Sequence, residues 1–276
     1  MNELQQTELE IFSVFDEVCK TLDIPYFLVC GSALGAIKYQ GFIPWDDDLD
    51  VGMFREDYER FLKEAQKLLP SHLFLQTAET DPAFPQIYAK LRDSRTTYLE
   101  TSTAHLPMHH GIFIDLFPLD GYPQGMFPRR ILELKKRIYS TILLSAAEFE
   151  RSARARLFCR ILRFFGCHKR TQKTVRRYTR LISRYKIRSS RLICNHGNWQ
   201  GTKEYSAKEH YGNGTRASFE GIRVNVPEQF DAYLTQKYGD WRADLPDEEK
   251  TGHHYHTVCD PHRPYTEYCK QKFEKG

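Results

Sequence analysis

The chain has 276 residues, 41% of them apolar or aromatic, with a formal net charge of +4, which suits one large domain or two small ones with a core of their own. It contains no apolar run of about 18 residues or more and no basic-then-apolar leader, so the reading excludes a transmembrane span and a secretion signal and predicts a cytoplasmic protein. Seven cysteines, an odd number without a C-x-x-C pair, exclude a disulfide framework and fit reduced thiols in that compartment.

The charge is unevenly placed. Residues 151–203 contain no Asp or Glu, and Arg151 to Arg191 hold 15 basic residues, leaving 25 basic against 36 acidic elsewhere, a balance of −11. An acidic body with a basic segment implies an anionic partner such as a membrane surface or a polyanionic acceptor.

Leu9, Phe12, Phe15, Val18 and Leu22 recur at helical spacing, and Tyr26 to Cys30 reads as a strand after the Ile24-Pro25 break. Gly31-Ser32-Ala33-Leu34-Gly35 ends that strand and starts a short helix, placing free N–H groups and a hydroxyl where an anion can bind. Without further context the same residues make an ordinary turn.

Ile43-Pro44-Trp45-Asp46-Asp47-Asp48-Leu49-Asp50-Val51 puts four carboxylates into five positions. Two carboxylates about 4 Å apart repel by about 4 kcal/mol at an effective dielectric near 20. A divalent cation reverses that sign, and the plain alternative is an acidic, solvated loop. Read as a strand, the alternation sets Leu49 and Val51 on an apolar face and Asp46, Asp48 and Asp50 on the other. Asp48 and Asp50 then lie about 6.5 to 7 Å apart, a separation from which both can reach one ion. Asp47 falls on the Leu49 side and reads as structural or as holding the turn after Pro44.

Arg55 to Leu69 reads as an amphipathic scaffold helix, and Ile87 to Asp93 as a strand entering a turn, with Lys90 and Arg92 at a solvated strand end in the plainest reading. In Gly111-Ile112-Phe113-Ile114-Asp115-Leu116-Phe117-Pro118-Leu119-Asp120, Asp115 stands alone among apolar neighbours. An unpaired buried charge is heavily penalised, so a lone Asp115 in such a run is hard to explain structurally, the plain alternative being an edge-strand acid that faces water. Asp120, just past Pro118, reads as a turn residue. His105, His109 and His110 read as exposed loop histidines, with a base or a phosphate-binding group as the other reading.

Arg129 to Lys186 reads as helical throughout, and Leu157, Phe158, Ile161, Leu162 and Phe165 form an apolar stripe between arginines. Such a helix either lies peripherally on an anionic bilayer or packs its stripe on the core, and the sequence leaves both open. Nucleic acid is not expected, because no strand-borne stacking aromatics are interleaved. Phe219 to Pro227 alternates like a strand before a helix from Glu228 to Tyr238 ended by Gly239. His253, His254, His256, Cys259 and His262 match no common zinc spacing, and the segment reads as a solvated C-terminal tail.

Phe27-Leu28-Val29-Cys30-Gly31-Ser32-Ala33-Leu34-Gly35-Ala36-Ile37-Lys38, followed by Gly41 to Gly52 and the Asp115 run, resembles the signature of the LicD family. That family includes bacterial phosphocholine transferases and fukutin-related ribitol-phosphate transferases. The resemblance extends from about residue 8 to about residue 250 and is weakest across the arginine-rich middle. It implies an α+β, nucleotidyltransferase-like mixed sheet flanked by helices, with residues 1–128 and 204–276 forming the core and 129–203 a basic helical insertion. It implies Mg²⁺ or Mn²⁺ held by Asp48, Asp50 and Asp115, with Asp115 alternatively taking the acceptor proton. Asp46 belongs to the pattern, either supporting the metal-holding carboxylates from behind or contacting the donor. Gly31 and Ser32, with Lys90 or Arg92, are expected to hold the phosphates of a CDP-alcohol donor such as CDP-choline. The implied acceptor is a hydroxyl of a glycan or glycolipid, a lipopolysaccharide or teichoic acid precursor, at the inner face of the membrane. Nucleotidyl transfer and metal-dependent glycosyl transfer are the alternatives for the same acidic pattern.

Overall fold

A computed structural model describes residues 1–147, 153–166, 170–197, 201–252 and 255–273. Helix α1 (Glu3–Leu22) starts on a reciprocal cap: the Asn2 side chain accepts from the Gln5 N–H and the Gln5 side chain accepts from the Asn2 N–H, satisfying two donors that a helix start leaves open. Its three- and four-residue apolar spacing buries Ile11, Phe12, Phe15 and Val18 on one face. After the proline break come strand β1 (Phe27–Leu28) and helix α2 (Cys30–Lys38), then β2 (Asp50–Phe54), α3 (Arg55–Glu64), β3 (Leu73–Gln76), β4 (Ala89–Asp93), β5 (Thr97–Glu100) and β6 (Phe113–Tyr122). Helices α4 (Met126–Ala146), α5 (Ala153–Phe164) and α6 (Thr171–Ile182) follow, then β7 (Leu192–Asn195), β8 (Tyr205–Ala207) and α7 (Lys208–Tyr211). The hairpin β9 (Thr215–Phe219) and β10 (Ile222–Val226), helix α8 (Phe230–Tyr238), strand β11 (His256–Asp260) and helix α9 (Tyr265–Phe273) complete the order. No described helix is long and apolar enough to cross a membrane.

The architecture is α+β, as expected, with a mixed main sheet in the order β1–β2–β6–β4–β3. Strand β6 lies at its centre because all ten of its residues are buried, and a near-continuous apolar run suits a strand covered on both faces. One edge of β6 pairs in parallel with β2, while the other is shared by β4 along Phe113–Leu116 and by β7 along Leu119–Tyr122, both antiparallel. Strand β8 extends the sheet beside β7. Alternation puts Leu28, Val51, Leu116, Ile114, Leu91 and Leu75 on one side, each at most 3% exposed and packed with Phe12, Phe15 and Phe61. The opposite side builds a second core from Phe27, Tyr88 and Phe117 with Tyr178, Ile182 and Leu234 of the helices.

Several expectations are corrected. The predicted strand from Ile43 to Val51 begins only at Asp50; Pro44 and Trp45 form a turn and Asp46–Leu49 an irregular loop. Proline lacks a ladder donor, and strand alternation would have driven Asp47 into the apolar side beside Leu49, whereas the loop leaves Asp46, Asp47 and Asp48 all half-buried. Asp120 is not a turn residue: it lies on β6, fully buried, against Arg55. The segment expected to be a basic helical insertion to residue 203 contains β7, which joins the main sheet. The C-terminal segment is not a free tail, since β11 pairs antiparallel with β5; His253 and His254 lie outside the described residues. In the β9–β10 hairpin, Glu220 (φ 47°) and Gly221 (φ 81°) both take the left-handed conformation that a tight hairpin turn requires.

Of the three histidines expected in an exposed loop, only His105 is exposed; His109 and His110 are buried. Gly111 N–H donates to His109 Nδ1 at 3.1 Å, so the ring proton sits on Nε2, 2.9 Å from Ser94 Oγ. Burial, with the Arg92 charge and His110 behind it, pushes His109 down to about 3. The unfolded chain therefore binds a proton below about pH 6.5 that the folded chain refuses, and stability falls as pH drops through that range. The expected share of His109 is about 2 kcal/mol lost between pH 6.5 and about 5. Urea titrations across this range should show a shallower pH slope for His109→Gln than for the parent; an unchanged slope would contradict the assignment.

Candidate active site

The acidic loop is held from outside by neighbouring elements. Gln5 of α1, 2% exposed, donates from Nε2 to the carbonyls of Ile43 (3.2 Å) and Asp46 (3.0 Å). Upstream, the Phe42 N–H donates to Glu220 Oε1 in the hairpin turn at 3.1 Å. At the last of these anchors and just beyond it, one oxygen from each of Asp46, Asp47 and Asp48 lies within 4.8 Å of the others. Among the described residues the expected trio of Asp48, Asp50 and Asp115 forms no such group. Asp47, read from sequence as structural, stands with the other two.

Two glycines admit these carboxylates. A methyl group on Gly31, in the first turn of α2, would stand 2.7 Å from Asp46 Oδ2, and one on Gly252 would stand 2.5 Å from Asp47 Oδ2. Gly31→Ala should therefore turn the Asp46 carboxylate aside while the helix tolerates alanine. The expected loss of catalytic rate is about 10- to 100-fold with an unchanged melting temperature. A full-rate Gly31→Ala protein would show that the placement of Asp46 is immaterial.

Next to the loop, strand register assembles a polar row on the second-core side of the sheet. Asp50 of β2 stands opposite Asp115 of β6, Asp115 opposite Lys90 of β4, and Lys90 opposite Gln76 of β3. Their exposures are 5%, 2%, 1% and 0% in that order. Backbone bonds set the first pair: Asp50 N–H donates to Ser32 Oγ at 2.8 Å, Val29 N–H to the Asp50 carbonyl at 3.1 Å, and Asp115 N–H to the Leu49 carbonyl at 2.9 Å. The Ser32 hydroxyl oxygen thus fixes the start of β2.

Lys90 Nζ lies 3.2 Å from Asp115 Oδ1, 3.4 Å from Glu100 Oε1 and 3.2 Å from the centre of the Phe113 ring. Arg92 donates to Gln76 Oε1, to the Gly111 carbonyl at 2.6 Å and to Glu100 Oε2 at 3.2 Å. Neither cation stands at a solvated strand end, and Arg92 is enclosed by protein acceptors. Glu100, which bridges both cations, escapes a reading of the sequence alone. Its signal is indirect, because two cations at alternate positions of one strand share a face and call for an anion.

Asp50, Asp115 and Glu100 against Lys90 and Arg92 leave a formal charge of −1, and the three loop aspartates bring it to −4. A donor set made wholly of carboxylate oxygens, gathered under excess negative charge, fits a hard divalent cation such as Mg²⁺ or Mn²⁺. Tyrosines face this charge. Burial holds the Tyr88 phenol well above its ordinary range, with Asp115, Glu100 and Asp50 adding to the shift. Tyr233 and Tyr238 are raised mainly by burial, with Asp50 among the charges acting on both. All three stay neutral donors at physiological pH.

The family profile described as LicD/FKTN/FKRP, nucleotidyltransferase domain, matches residues 23–139, which include the loop, Lys90 and Asp115. The chain is 31% identical over 262 residues to the lipopolysaccharide cholinephosphotransferase LicD of Haemophilus influenzae, covering 92% of this chain and 96% of that protein. It is also 31% identical over 121 residues to an uncharacterized protein of Rickettsia prowazekii, covering 44% of this chain and 42% of that one.

Proposed function

The chain belongs to the LicD/FKTN/FKRP family, and on that premise we propose that it transfers phosphocholine from CDP-choline to a hydroxyl of lipopolysaccharide or a related cell-surface glycan, releasing CMP. The observation that carries this reading is the register that sets Asp50 against Asp115 beside the acidic loop, in a chain whose full-length relative is a lipopolysaccharide cholinephosphotransferase. The carboxylates meet only the pyrophosphate that all CDP-alcohols share, so choline rests on the relative and ribitol or glycerol donors are the comparison substrates. Of the tyrosines near the acidic residues, the half-buried Tyr238 is the ring proposed to meet a trimethylammonium head.

Asp46, Asp47 and Asp48 with Asp50 and Asp115 would hold one or two Mg²⁺ or Mn²⁺ ions. A metal held by these residues would supply charge withdrawal from the pyrophosphate and stabilisation of the departing phosphate. The acceptor oxygen attacks the choline-bearing phosphorus in line, the bond from that phosphorus to the CMP oxygen breaks, and the acceptor proton passes to Asp115. Lys90, with Nζ 3.2 Å from Asp115 Oδ1, orients that carboxylate.

The test is incubation of the purified protein with Mg²⁺, lipopolysaccharide and a panel of CDP-alcohols. Chromatography reads CMP release, and mass spectrometry reads the acceptor. Phosphocholine on the glycan with matching CMP is the expected result. CMP on the glycan would instead indicate nucleotidyl transfer, and no turnover with any CDP-alcohol would overturn the reading.

A further inference from the structure

The basic segment presents a surface that the catalytic reading does not use. On α4, Phe127, Ile131, Leu134 and Ile138 are spaced by four, three and four residues and are 75%, 39%, 62% and 53% exposed, so one helix face is apolar and open to water. Arg130 and Arg137 flank that stripe on one side and Lys135 on the other, all exposed. On α6, Lys173, Arg177 and Arg180, continued by Arg184 just beyond the helix, repeat the same spacing with charged groups, all exposed, while Val175, Tyr178 and Ile182 bury the opposite face. The two stripes meet: Lys135 and Ile138 of α4 line a shallow groove of about 390 Å³ together with Arg177, Arg180 and Arg184. Helix α5 adds Leu157, Ile161 and Phe164, exposed by 62%, 44% and 86%. Of the apolar stripe read from the sequence, Leu157, Ile161 and Phe165 are exposed and Leu162 is half-buried, and the Phe158 side chain lies outside the described residues.

From this juxtaposition we infer that the α4–α6 face docks on an anionic lipid bilayer, with the apolar stripe entering the headgroup boundary and the basic stripe lying along the charged surface. An apolar ridge bordered by cations is the chemistry of an interfacial helix. A second copy of this chain would oppose like charges across the contact, and a soluble polyanion would leave the apolar ridge in water. The docking would hold a lipid-anchored acceptor and the enzyme on one surface.

Vesicle co-sedimentation without any donor tests the inference independently of the transferase reading. The protein should bind vesicles of phosphatidylcholine with phosphatidylglycerol, ignore phosphatidylcholine alone, and lose binding in high salt. Arg177→Ala with Arg180→Ala should lower the partition coefficient about 30-fold, since each basic residue near an anionic surface contributes about 1 kcal/mol, a factor of about five. Phe127→Ser with Leu134→Ser should also weaken binding, with unchanged thermal unfolding because both side chains are exposed. The inference is overturned if both vesicle types bind alike or neither binds. It is equally overturned if the serine pair binds as tightly as the parent, which would point to a soluble polyanion, or if that pair abolishes a dimer in sedimentation while vesicle binding is absent.

Discussion

Asp50→Asn and Asp115→Asn should each lower the proposed phosphocholine transfer by about 10³-fold or more, while the protein stays folded. The carboxylates stand at paired positions of neighbouring strands, about 4.8 Å apart between backbones, and both are almost fully buried. At that spacing two ionised groups repel by about 3 to 4 kcal/mol with an effective dielectric near 20, which an amide removes. The bonds that position the strands are made by the backbones of Asp50 and Asp115, to the Ser32 hydroxyl and to the backbones of Val29 and Leu49, so asparagine keeps them. Lys90, relieved of Asp115, still has Glu100. Steady-state CMP release, with far-ultraviolet circular dichroism and thermal unfolding on the same samples, checks both halves. Turnover near the parent rate in either variant would remove that residue from the site.

The second large effect is on stability. Arg55→Ala should cost about 3 to 5 kcal/mol, because it leaves a carboxylate uncompensated inside the protein. Arg55 is 4% exposed and Asp120 0%, and the guanidinium meets the carboxylate in a two-pronged contact, Nε to Oδ1 at 2.8 Å and Nη2 to Oδ2 at 2.6 Å. Arg55 directly follows β2 and Asp120 lies on β6, one residue beyond the Phe54–Leu119 pair. The clamp ties the far end of the same two strands whose near end carries Asp50 and Asp115. Replacing both partners, as in Arg55→Met with Asp120→Leu, should recover most of the loss, because no buried charge is then left alone. Urea unfolding of the single and double variants decides the matter, and a single-variant loss under about 1 kcal/mol would show the pair to be dispensable.

The parts legible in the sequence are those where one physical constraint dominates. The α1 stripe and the apolar run around Asp115 are periodic or continuous enough to read directly, and Asp115 advertises itself because an acid in such a run must meet a partner. The partner, Lys90, is not legible as such. Its burial depends on β4 pairing with β6 rather than lying at an edge, a long-range fact that local composition does not encode. The acidic run misleads in the opposite way. Alternation suggests a strand, but Pro44 and three consecutive carboxylates cannot be shared between an apolar and a polar face, so the ladder waits until Asp50. Asp120 looks like a turn because Pro118 precedes it, and only the arrival of Arg55 from another element makes a buried strand position tolerable. His109 and His110 look exposed for the same reason: the Phe74 and Tyr265 rings that cover His109 come from distant parts of the chain.

Mn²⁺ titration followed by electron paramagnetic resonance tests, without any substrate, whether carboxylates from the loop and from two adjacent strands act together on a divalent cation. The parent should bind Mn²⁺ saturably and release it to Mg²⁺, and Asp50→Asn and Asp115→Asn should bind at least tenfold more weakly. Undiminished binding in both variants would mean that the ion is held elsewhere.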